Sequence, residues 1–166
     1  MTKKVITLTC LLALVTLAGW SCKSAAEKTA EKTIESSTNG AVEADIDDDT
    51  VTFTDKNSNS TTTIGQADLP DDWPTDAPTC QGDIIAATTV GGTYFSTTWQ
   101  TDESVDDLYD SYEGEVTDQG WTTEATATIA GIKSLTATKG NRTLNVHVSR
   151  NESENMTNCT VAVTSE

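Results

Sequence analysis

Six runs after residue 82 read as strands: 83–90, 93–100, 121–128, 132–139, 143–149 and 159–164. In 93–100, 143–149 and 159–164 the two faces separate with period two. Such alternation marks strands with one face on a core and one in water. Gly91-Gly92 and Gly140-Asn141 supply two-residue hairpin turns. One stretch breaks the rhythm. In 104–119, Val105, Leu108, Tyr109, Tyr112 and Val116 recur at helical spacing and make one apolar stripe. Ser104 is placed to cap that helix, Asp106 and Asp107 suit its first turn, and Gly120 suits its left-handed close, with Trp121 folding back. The pattern predicts an α+β domain: an antiparallel sheet of about six strands with one helix on one face, in the order β-β-α-β-β-β-β. In 93–100 Phe95, Thr97 and Trp99 share one face. In 159–164 Cys159, Val161 and Val163 do, which puts Cys159 with the core.

Upstream the signals thin out. Leu69 to Pro78 carries prolines at 70, 74 and 78, which bias the backbone to extended geometry. This strap opens the domain, with Leu69 and Trp73 expected to pin it. Residues 50–54 and 60–64 read as a hairpin that would be marginal alone. The acidic run at 45–49 invites a calcium loop, but a loop starting at Asp45 meets Thr50 and Lys56 where it needs Gly and Glu. A solvated acidic lead into a strand is the expectation. Residues 23–44 are rich in Ala, Glu, Lys, Ser and Thr, the composition of a disordered tether, with transient helix open to 25–34. The expected organisation is an export signal over 1–21, a tether over 22–44, an acidic segment with a possible hairpin over 45–67, and the α+β domain over 68–166.

The first 22 residues place the protein. Lys3 and Lys4 precede an apolar run over 5–19, which carries three threonines. Such a run fits a secretory signal and falls short of the roughly 20 residues of a spanning helix. Gly19 and Ser21 flank Trp20 as small residues at a cleavage site, between Ser21 and Cys22. The segment resembles a bacterial lipoprotein signal, in which a lipobox precedes a cysteine. The resemblance implies that Cys22 carries diacylglycerol and palmitate and becomes the first mature residue. Gly19-Trp20-Ser21 departs from the usual Leu-Ala-Gly/Ser approach, and free secretion or an uncleaved anchor stay open as alternatives. With Cys10 discarded and Cys22 lipidated, Cys80 and Cys159 remain in an oxidising compartment and are expected to pair. Two unpaired buried cysteines are the alternative.

A second resemblance covers about 69–164. Leu69-Pro70-Asp71-Asp72-Trp73-Pro74, Pro78-Thr79-Cys80-Gln81-Gly82, Thr101-Asp102-Glu103-Ser104, Tyr112, Gly120-Trp121 and Lys139-Gly140-Asn141-Arg142 follow one another as in a small domain of uncharacterised bacterial lipoproteins and envelope proteins. It implies a fold and an envelope location, and no activity. Cys80 stands where an apolar or aromatic residue is usual.

Charge and chemistry exclude more than they select. The net charge is −16, and loss of Lys3 and Lys4 with the signal makes it more acidic. That argues against nucleic acid and against electrostatic binding to anionic lipid. His147 is the only histidine, on the polar side of its strand. A zinc site needs several His or Cys ligands, and a hydrolase triad needs a serine elbow that is absent. The expectation is therefore no enzyme, no cofactor and no metal. It is a membrane-anchored domain facing the periplasm or exterior, with an unknown protein or small-ligand partner. A secreted ligand- or calcium-binding protein is the alternative, and a hydrolase using His147 a minor one.

Overall fold

The structure, a computed structural model, describes residues 23–166. Cys22, Ser21 and the rest of the expected signal lie outside them. The elements are α1 (Lys23–Ser37), β1 (Val42–Asp47), β2 (Thr50–Asp55), β3 (Ser60–Gly65), β4 (Asp83–Val90), β5 (Tyr94–Thr101), α2 (Val105–Asp118), β6 (Thr122–Ile129), β7 (Ile132–Lys139), β8 (Arg142–Asn151) and β9 (Met156–Ser165). All nine strands form one antiparallel sheet in the order β1-β2-β3-β4-β5-β9-β8-β7-β6.

The α+β class and the order β4-β5-α2-β6-β7-β8-β9 match the reading of 68–166. The strand count and the boundary at 68 do not. β3 pairs directly with β4, Ser60 opposite Val90 and Ile64 opposite Ala86, so the hairpin of 45–67 extends the main sheet. Nor is 23–44 featureless: α1 and β1 occupy most of it. Val42, Ala44 and Ile46 alternate with Glu43, Asp45 and Asp47, so the acidic run starts on one face of a strand, and Asp48 and Asp49 make the turn to β2. α1 lies along β1, and Ala44 there is buried. The Glu31 carboxylate accepts the Ile46 N–H at 3.0 Å on the sheet's outer edge.

One face of the sheet holds the core. Phe95 and Trp99 from β5, Cys159, Val161 and Val163 from β9, Leu144, Val146 and Val148 from β8, and Leu135 and Ala137 from β7 are buried together. α2 covers β6 to β8 with Leu108, Tyr109, Tyr112 and Val116. Its ends follow the sequence. The Ser104 hydroxyl accepts the Asp107 N–H at 3.1 Å. Gly120 at φ +80° lets its N–H reach the Thr117 carbonyl and the Trp121 N–H reach Val116, the paired bonds of a helix closed by a left-handed residue. The strap, residues 66–82, leaves β3, crosses the same face and returns to β4. Gly65 and Gly82 bound it, both at positive φ, and a Cβ on either would collide with the backbone carbonyls of Asp49 and Gln100. Trp73 pins the strap, edge-on to Phe95 and Trp99 at 6.5 and 5.8 Å between centroids. Leu69 does not: it is 37% exposed, because the chain at 69 still runs over the polar β3–β4 part of the sheet.

The opposite face is solvated. From β3 across to β7 it presents Thr62, Thr88, Ser96, Thr98, Thr160, Asn145 and Thr136, some joined by hydroxyl contacts near 3 Å such as Thr98 to Thr160.

Candidate ligand cleft

Where the strap crosses β3 to β5 it leaves an open cleft of about 480 Å³. Thr61 and Thr63 of β3, Ala87 and Thr89 of β4 and Phe95 of β5 make its floor, and Asp68, Pro70, Asp71 and Asp72 of the strap make one wall. Register explains the floor: Thr61 opposes Thr89 and Thr63 opposes Ala87, so both pairs point to the core face beyond the reach of α2. Asn59, Gly91 and Gly92 close one end. No ion pair among the described residues uses the three wall carboxylates. Three unneutralised charges in a concavity focus negative potential. The cleft therefore offers hydroxyls, carboxylates and a short apolar floor. Among the described residues no group of three or more His, Cys, Asp or Glu is arranged to hold a metal ion.

A second polar cluster braces the strap. Arg142 of β8 donates two hydrogen bonds to the Asp76 carboxylate, at 2.7 and 2.6 Å. Lys139 of β7 reaches the same carboxylate at 2.7 Å, and also donates to the Gln119 carbonyl at the end of α2. The Trp121 indole N–H donates to the Asp76 backbone carbonyl, and Arg142 lies over the Trp121 ring at 5.1 Å. The Arg142 hydrogen bonds hold the Asp76 carboxyl well below the usual carboxylate range against its partial burial, with Lys139 assisting. A carboxylate depressed in the folded state contributes stability that is full above its unfolded pKa, about 4. That stability is lost as pH falls through the lower folded value. Melting followed from pH 5 to pH 2 is expected to show wild type losing more stability than Asp76→Asn; parallel curves would rule this out.

The expected site residues come together unevenly. Cys80 and Cys159 form a disulfide, Cα atoms 6.4 Å apart, linking the end of the strap to the central strand. His147 is exposed on the solvated face, opposite Ser134 and Thr160. No carboxylate stands across from it in either neighbouring strand, and the cleft lies on the other side of the sheet. Sequence reasoning singled out Asp71 and Asp72 only as part of the strap. It missed Thr61, Thr63, Asp68 and Thr89 as a group, because β3 and β4 were assigned to different domains.

The family model described as START domain-like matches residues 84–156. Over that stretch the chain is similar to that family. The match runs from β4 through β8 and stops at the first residue of β9. It takes in the Thr89 and Phe95 part of the cleft and all of α2, and leaves out the strap. No curated protein and no solved structure matches the chain.

Proposed function

We propose that this protein is an exported, lipid-anchored binding domain without catalytic activity, and that the cleft takes a small organic cation. The observation that carries the second part is the cleft's lining: Asp68, Asp71 and Asp72, free of internal cations, facing a floor of threonine hydroxyls with Ala87 and Phe95 beneath. An ammonium group on a short apolar or hydroxylated body complements each part of that surface. The START domain-like match supports a small ligand-binding domain. The space between α2 and the sheet favours the cleft as the place, since Leu108, Tyr112, Val116, Leu144 and Val146 fill it at 4% exposure or less. Anchoring rests on the Cys22 signal and on the three cysteines left once Cys10 goes with the signal, an odd number that lipidation of Cys22 resolves. Among the described residues no helix is long and apolar enough to cross a membrane.

One preparation tests both parts. Full-length protein from the membrane fraction is expected to show an intact mass carrying a diacylglycerol and acyl chains on Cys22. An unmodified Cys22 with full recovery in the soluble fraction would favour the secreted alternative. Calorimetric titration with putrescine and glucosamine is expected to show binding, and titration with 1,4-butanediol and N-acetylglucosamine none. Asp71→Asn and Asp72→Asn are each expected to weaken it about tenfold, a charged hydrogen bond of roughly 1.5 kcal/mol. Binding of cation and neutral analogue alike, or none of either, would sink the cleft reading.

A further inference from the structure

The two edges of the sheet are treated differently. At the β1 edge, α1 lies alongside, Glu31 takes an outward backbone N–H, and Glu43, Asp45 and Asp47 line the strand. At the β6 edge nothing comparable is present among the described residues. β6 is last in the sheet, paired only with β7, and all eight of its residues are exposed. Its ladder is regular from Ala125 to Ile129. The bulge comes before, at Glu124, whose carboxylate accepts a hydrogen bond from Thr138. Ile129 and Ile132 at the hairpin tip are 71% and 45% exposed. A regular edge that carries no charge from Ala125 to Ile129 is a template for another strand, and natural sheets block such edges with lysine, proline or a covering element.

We propose that β6 is a dimerisation edge, and that its occupant is β6 of a second copy of this chain. Three observations select that occupant. The first is self-complementarity. An antiparallel pairing centred on Ala127 sets Thr126 against the second copy's Thr128 and Ala125 against its Ile129, with side chains of one kind on each face. The second is charge. Two chains at −16 repel over most of their surfaces, but this edge carries only Glu124, which the same register sets against Ala130. Two acids of α2, Asp106 and Asp110, are met by Lys133 of the neighbouring β7 at 2.7 and 3.8 Å. The third is closure. With the β1 edge shut, pairing through β6 is isologous and ends at a dimer, whereas two open edges would propagate a fibre. The product is one sheet continuous through two nine-stranded halves.

The experiment uses full-length protein. Native mass spectrometry from detergent is expected to give two chains for wild type and one for Ala127→Lys, which sets two like charges at the axis. Ala127→Cys meets its own copy at the axis, where facing Cα atoms lie about 4.5–5.5 Å apart, within disulfide reach. It is expected to give a covalent homodimer as the main species on a non-reducing gel. The same change at Asn57, in the β2–β3 turn, is expected to leave monomer. Because β6 buries none of its side chains, these variants keep the fold, checked by the intact Cys80–Cys159 peptide. A monomeric wild type would overturn the proposal. So would Ala127→Cys trapping no more than Asn57→Cys, or trapping a different protein.

Discussion

Replacing Cys80 and Cys159 together by alanine is expected to remove roughly 4–5 kcal/mol of stability and lower the melting temperature by about 10–15 °C. The bond closes a loop of 79 residues in sequence separation, and in the chain-entropy model the loss grows with the logarithm of that length. Position adds to length. Cys159 is fully buried on β9, opposite Trp99 on one side and Val148 on the other. Cys80 sits where the strap turns back toward β4. Without the bond the strap is held by Trp73, by Asp76, and by the Tyr112 hydroxyl on the Pro78 carbonyl at 2.6 Å. Urea unfolding of the double variant should show a lower midpoint with a steeper slope, since the unlinked chain exposes more surface when unfolded. A melting temperature within a few degrees of wild type would mean that the unfolded state is already compact.

Trp73→Ala is expected to cost about 3–5 kcal/mol, the range for deleting a buried aromatic side chain. Trp73 is 7% exposed, meets Phe95 and Trp99 edge-on, and donates its indole N–H to the Ala77 carbonyl at 3.2 Å. Removing the ring leaves a void between strap and sheet and a free acceptor at Ala77. The consequence for the cleft is separate. Asp71 and Asp72 are the residues just before Trp73, so the wall they form is only as firm as its anchor. Binding of putrescine should fall in Trp73→Ala under conditions where the protein is still folded. Trp73→Phe should keep most of the binding and lose about 1 kcal/mol with the indole hydrogen bond. Unchanged binding in Trp73→Ala would separate the cleft from the strap.

The part of the fold written in local pattern was legible. The alternation of β5, β8 and β9, the stripe and ends of α2, and the face that Cys159 occupies are all set by neighbours a few residues away. Three things were not. β1 was hidden because three of its six residues are acidic and read as solvent-facing loop. The joining of β3 to β4 was hidden because 17 residues of strap separate their ends, and strand pairing across a long excursion leaves no periodic trace. The cleft was hidden for the same reason: Thr61, Asp72 and Thr89 meet only once that pairing exists. β6 was legible as a strand, but its run of Ala and Thr does not say that all eight of its residues stay exposed.

Among the described residues β9 follows every other strand in the chain and sits in the interior of the sheet, between β5 and β8. Until its ten residues are available, β1–β5 and β6–β8 are two half-sheets with no ladder between them, and Trp99, Leu144 and Val146 have no common surface to bury against. Every contact that joins the halves is long in sequence, so folding is slow to begin and all-or-none once it does. The strand that completes the core also carries Cys159, whose bond to Cys80 ties it to the strap.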